Sequence, residues 1–169
     1  MPIQSSAAPD EKSSPFYQKN KELCEQWEQF ILEKDGQLNA VYNAWSFDIK
    51  AKVKTAHRTW LISVKRATYT NGNLLFSTKW LNKQEIIEFR ARYKDVDCPN
   101  FRIEPSRWRT QPVNHELCRL IVALIETEQR RKEPMFADFR DGELRFKINH
   151  RNDDFELVNR VLRDLDNPT

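Results

Sequence analysis

A chain of 169 residues with 39% hydrophobic and 31% charged residues and only three glycines suits one α+β domain that buries its core without disulfides or metals. Cysteines at 24, 98 and 118 are odd in number and form no CxxC pair, which argues against a disulfide framework and fits reduced thiols in a cytoplasmic protein. Net charge is +3 but uneven: residues 46–94 hold eleven Lys/Arg against three Asp/Glu, while residues 1–45 and 133–169 are each at −3.

Residues 1–13 are rich in Ser, Ala and Pro and are expected to be a disordered tail, leaving 14–169 as the domain. No apolar run reaches the roughly 18 residues of a spanning helix, and the N-terminus lacks the pattern of a signal peptide. Ser14-Pro15 combines a capping hydroxyl with proline at the first helical position. Leu23, Trp27, Phe30 and Ile31 then recur at helical spacing, so a helix is expected over 16–34, stopped by Gly36.

The central expectation is a meander. Phe47, Ile49, Ala51 and Val53 alternate with Asp48, Lys50, Lys52 and Lys54, the period of a half-buried strand. Pairing Val53 with Trp60 and Ile49 with Val64 buries one face, with Thr55 to Arg58 as the connection and Asp48 opposite Lys65. The other face then carries Lys50, Lys52, Lys54, Lys65 and Lys79. A three-residue loop Thr70-Asn71-Gly72 would continue the meander, setting Thr68 against Leu74, Val64 against Thr78 and Ile62 against Trp80.

Residues 83–95 read two ways: Ile87, Phe89, Ala91 and Tyr93 alternate with charged residues and favour a further strand, while Gln84, Glu85 and Ile86 would tolerate a short turn of helix before it. Phe101 to Ile103 is a possible short strand ended by Pro105. Between Pro99 and Pro112 lies a loop with Arg107-Trp108-Arg109, residue types that dominate interface hot spots. Packing of Trp108 over the core edge is the structural alternative. Residues 114–132 read as a helix capped by Asn114, with Leu117, Leu120, Ile121, Leu124 and Ile125 inward and Arg130, Arg131 and Lys132 at its negative end. Asp141-Gly142 turns a short hairpin, and a closing helix from about Asn152-Asp153 buries Val158, Val161, Leu162 and Leu165.

The fold class expected is therefore α+β: an antiparallel meander of four to five strands, covered on one face by an N-terminal and a central helix, then a short hairpin and a C-terminal helix. Catalytic motifs are lacking. Each glycine has a turn or a helix stop to explain it, the three histidines are scattered, and no zinc spacing or GxSxG elbow occurs. His115 and Cys118 share a helix, but Cys118 falls in the apolar stripe and reads as an inert thiol. Asp138, Asp141, Asp153 and Asp154 lack calcium-loop spacing and each has a local role at a turn or cap. No cofactor or metal is expected.

The first functional reading is a non-catalytic binding or regulatory module for another macromolecule, in the first instance a protein. Its candidate residues are Arg107, Trp108 and Arg109. The alternative is an anion-binding domain, for nucleic acid or acidic lipid headgroups, through a lysine-rich sheet face carrying Lys50, Lys52 and Lys54. On strands, lysines also serve simply to solvate and to protect edges. An enzyme whose site is assembled from distant positions is the third reading.

Overall fold

The computed structural model describes residues 2–70, 81–104, 111–128, 135–148 and 152–168, with the backbone alone over 67–70 and 81–84. The described residues form one eight-stranded sheet and three α-helices. In chain order these are β1 (Ile3–Ser5), a 3-10 helix (Pro9–Ser13), α1 (Pro15–Leu32), β2 (Gln37–Tyr42), β3 (Phe47–Lys54), β4 (Thr59–Thr70), β5 (Leu81–Arg92), β6 (Phe101–Ile103), α2 (Glu116–Glu128), β7 (Met135–Arg140), β8 (Glu143–Ile148) and α3 (Phe155–Asp164). The sheet order is β1-β2-β3-β4-β5-β8-β7-β6, antiparallel throughout except for the parallel β1–β2 pair.

The class is α+β, but the sheet is larger than a four- or five-stranded meander. The short hairpin is no separate unit: β8 pairs with β5 and brings β7 and β6 into the same sheet. Within the stretch expected as a tail, Ile3–Ser5 pairs with Ala40–Tyr42. Tyr17 on α1 fastens this start of the chain, its hydroxyl lying 3.1 Å from Ser5 Oγ and 3.2 Å from Tyr42 Oη.

The pairing of β3 with β4 has the register that alternation demands, with Val53 opposite Trp60, Ile49 opposite Val64 and Asp48 opposite Lys65. The continuation differs. Ile62 pairs with Phe89 and Val64 with Ile87, so the partner of β4 is β5, not the segment just after Gly72. Both candidate partners satisfy the period of two. Pairing with β5 runs on to Thr70 opposite Leu81 and adds Ile87, Phe89 and Ala91 to the buried face. Asn71, Gly72, Trp80 and the rest of 71–80 lie outside the described residues.

Three rows of side chains cross the sheet on its buried face. One runs Ala40, Ile49, Val64, Ile87, Ile148, Met135; the next Leu38, Ala51, Ile62, Phe89, Phe146, Ala137, Ile103; the third Val53, Trp60, Ala91, Leu144, Phe139, Phe101. All are buried and join the inner sides of α1, α2 and α3 in a single cluster. Inner residues of α1 are Leu23, Cys24, Trp27 and Ile31, and those of α3 are Leu157, Val158, Val161 and Leu162. The two helices meet through Trp27, Phe30 and Phe155, whose ring centroids are 4.7–5.7 Å apart. Trp27 Nε1 also donates to the Asn152 carbonyl at 2.6 Å, so the indole is buried without leaving a polar group unpaired.

Helix ends are set by local chemistry. Ser14 Oγ accepts from the Phe16 amide and Asp154 Oδ1 from the Leu157 amide. At α2 the cap is His115, whose Nδ1 accepts from Leu117 N at 3.0 Å, and not Asn114, which receives Arg119 Nη1. Gly36 does follow α1, but for a different reason from a helix stop. The left-handed residue is Asp35 (φ 55°), and a Cβ on Gly36 would lie 2.7 Å from the Lys52 carbonyl oxygen and 2.8 Å from Ile31 Cγ2. Glycine lets α1 hand the chain to β2 directly against β3. The hairpin turn Asp141-Gly142 has φ of 52° and 81°, the two positive values that a tight two-residue loop needs.

Candidate functional site

Because the helices gather on one side, the other face of the sheet is uncovered among the described residues. Its side chains follow from the same registers shifted by one. One row reads Gln37, Lys52, Leu61, Arg90, Arg145, Asp138, Arg102; a second reads Asn39, Lys50, Ser63, Glu88, Lys147, Phe136. A third sets Val41, Asp48, Lys65 and Ile86 together, while Lys54 stands opposite Thr59 and Arg92 opposite Glu143, itself paired with Arg140. Ten Lys/Arg therefore share this face with four carboxylates, Asp48, Glu88, Asp138 and Glu143, a difference of +6. Among the other residues whose side chains are described, ten Lys/Arg stand against nineteen Asp/Glu, so the described charge is unevenly divided between this face and the remainder.

The face divides by how its charges are met. On the side of β5 to β6, carboxylates stand between cations. Glu88 Oε1 lies 3.3 Å from Arg90 Nε and 4.0 Å from Arg145 Nε. Arg90 and Arg145 are directly opposite in register, and such like-charge neighbours destabilise a sheet unless something screens them. Glu88 stands beside both guanidinium groups and Asp138 lies directly opposite Arg145, so two carboxylates flank the pair.

On the side of β2 to β4 the picture changes. Lys50, Lys52 and Lys54 are exposed on alternate positions of β3, and their cross-strand neighbours are Asn39, Ser63, Gln37, Leu61 and Thr59, none of them charged. Among the described residues, Asp48 and Lys65 pair there, at 4.0 Å. Leu61, 49% exposed, sits between Lys52 and Arg90 on neighbouring strands. A shallow depression of about 900 Å³ opens over this place, lined by Lys52, His57, Thr59, Leu61, Arg90, Arg92 and Lys94 together with the carboxylates Asp95 and Glu143. A second, of about 570 Å³, lies towards β1 and includes Gln4, Asn39, Asp48, Lys50 and Lys65.

The end of the large depression is held by Arg58, a buried cation in the β3–β4 connection. Its Nε donates to the Asp166 carbonyl at 2.6 Å and its Nη1 to the Arg92 carbonyl at 2.9 Å. Both Nη atoms reach the Asp95 carboxylate at 3.3 Å, and the guanidinium lies 3.7 Å over the Tyr93 ring. Thr55 Oγ1 adds hydrogen bonds to Asp166 and from Trp60 Nε1. Asp95 is held below the usual carboxylate range by a hydrogen bond from its own backbone, then by Arg58. Burial pushes the Tyr93 phenol upward, and its hydroxyl donates to the Leu165 carbonyl at 2.6 Å. This cluster joins the β3–β4 turn, the end of β5 and the C-terminal segment, and His57 and Lys94 lie beside it at the rim of the depression.

Arg107, Trp108 and Arg109 lie outside the described residues, as do Arg130, Arg131 and Lys132. Lys50, Lys52 and Lys54 do stand together on the open face. Arg90, Arg92, Arg145 and Lys147 join them there, and their signal was the same alternation; only the pairing of β5 between β4 and β8 puts them on one surface. Trp27 and Trp60 are fully buried, whereas Trp45 is 66% exposed. It sits in an Asx turn in which Asn43 Oδ1 accepts from the Trp45 and Ser46 amides at 2.8 Å.

The described residues contain no group of three or more His, Cys, Asp or Glu placed to hold a metal, and no described helix is long and apolar enough to cross a membrane. Burial raises the thiols of Cys24 and Cys98 to about 12 and about 11, far from a reactive thiolate. No protein-family model matches the chain, and no curated protein or solved structure matches it.

Proposed function

We propose that this protein is a non-catalytic binding module whose working surface is the uncovered sheet face and whose partner is an anionic macromolecule. The observation that carries this reading is the segregation of charge: ten cations against four carboxylates on one face, with the other described side chains net negative. A face with such a field attracts polyanions and orients them before contact. A protein partner docked through Trp108 would rest on residues outside those described, so the open face is the better-founded surface.

Elution from immobilised heparin tests the reading. Lys50, Lys52 and Lys54 changed together to Gln remove three charges from the open face. Lys12, Lys19 and Lys21 changed to Gln remove three from the helix side. The open-face variant should leave the column at clearly lower salt than the helix-side variant. Equal elution of the two would mean that net charge alone governs binding, and the reading would fail.

A further inference from the structure

We infer that the depression over β4 is a seat for single-stranded nucleic acid, with phosphates on the cations at its two sides and bases over Leu61. The inference rests on the anionic-partner reading and names its partner. Lys52 lines one side on β3, with Lys54 next along the same face of that strand, and Arg90 and Arg92 line the other on β5. Two strand spacings separate the sides, about 10 Å, and cations within a side repeat about every 6.8 Å along the strand. Between them the floor is uncharged: Leu61, half exposed, and Thr59.

That combination distinguishes among polyanions. An acidic peptide supplies carboxylates for the sides but has no reason to prefer an exposed leucine floor. A bilayer presents a broad charged plane and reaches the rims without entering. Duplex nucleic acid turns its bases inward and is too thick to lie between the sides. A single strand has phosphates and free base faces together, and single-strand sites pair a positive groove with surfaces on which bases lie. Arg90 and Arg92 suit phosphate better than lysines would, because a guanidinium offers a planar fork of donors and a face for a base. Glu88, 3.3 Å from Arg90, holds one of these guanidiniums on the face. Lys94 at the mouth adds a further cation, beside the carboxylate of Asp95.

The test is fluorescence anisotropy with a labelled oligothymidylate of about 20 nucleotides, from 50 to 200 mM salt. Four phosphate contacts give a slope of log K against log salt of about −2.8, a loss of about fifty-fold over that range. Changing Lys52 and Lys54 to Gln, or Arg90 and Arg92 to Gln, removes two contacts. Either should bring the slope to about −1.4, a loss of about sevenfold. The Lys12→Gln, Lys19→Gln variant should match the parent, and near-UV circular dichroism checks that every variant is folded. Unlabelled duplex of the same length, polyglutamate and phosphatidylserine vesicles serve as competitors. Single strand displacing the probe better than all three, with both trough variants impaired, is the expected result. Equal or better displacement by any of the three overturns the nucleic-acid assignment and leaves the anionic-partner reading standing. Trough variants that bind the oligonucleotide like the parent overturn the location. No binding of any of these anions at 50 mM salt removes the inference and the reading beneath it.

Discussion

Arg58→Met should show that stacking, the carbonyl contacts and the Asp166 carboxylate 3.9 Å from Nε, rather than the ion pair with Asp95, make Arg58 a fastener. The guanidinium donates to the Asp166 and Arg92 carbonyls at 2.6 and 2.9 Å, and its side chain is only 2% exposed. Hydrogen bonds from a charged donor contribute about 1.5–3 kcal/mol each, and a desolvated cation over an aromatic ring about 2 kcal/mol more. Regained hydration of the unfolded guanidinium and new apolar burial by Met offset part of that. A net loss of about 3–4 kcal/mol remains, a large share of a stability of about 5–15 kcal/mol. For a chain of this size it corresponds to a fall in Tm of about 6–16 °C. Asp95 is a different matter. Its side chain is 55% exposed, so Asp95→Asn should cost at most about 1 kcal/mol. Differential scanning calorimetry of the two variants decides between the contributions. If Asp95→Asn lowers Tm as far as Arg58→Met, the ion pair is the fastener and the reasoning is refuted.

Other perturbations probe the rest of the frame. Gly36→Ala forces a methyl against a backbone oxygen and a buried isoleucine, so it should cost about 1–3 kcal/mol in chemical denaturation; a neutral result would show that β2 does not lie so close to β3. Native protein at pH 8 should react with a thiol reagent slowly at half-buried Cys98 and hardly at all at buried Cys24 and Cys118, all three becoming reactive in denaturant. The Tyr93 phenol is raised above its ordinary value of 10.0 by burial, against the opposing pull of Arg58. Its contribution to stability is therefore complete below pH 10 and is lost as pH rises beyond it. Tyr93→Phe should flatten that alkaline decline, though not abolish it, since Tyr42 is also pushed up to about 12.

Where neighbours in sequence are neighbours in the sheet, residue pattern alone was enough. The β3–β4 register, the Asp141-Gly142 turn and the Ser14-Pro15 start of α1 are each encoded within a dozen residues. The partner of β4 is not, because an alternating strand shows which side is apolar and says nothing about which other alternating strand lies beside it. The local turn signal at Asn71-Gly72 therefore competed with the longer apolar match offered by Ile87, Phe89 and Ala91. β1 is three residues long, too short for any period to register. β2 alternates in Leu38, Ala40 and Tyr42 but turns Val41, 44% exposed, to the outside, which blurs its pattern. The candidate surface was legible in the same uneven way. Lys50, Lys52 and Lys54 were marked by their own alternation, whereas Arg90 and Arg92 joined them only through long-range pairing.

Lysine acetylation read by mass spectrometry, with and without saturating heparin, bears most directly on where the partner lies. Lys50, Lys52, Lys54 and Lys94 should be protected by the polyanion, while Lys12 and Lys19 on the helix side, equally exposed in the free protein, should react at unchanged rates. Protection of Lys12 and Lys19 with the β3 lysines left reactive would contradict the account.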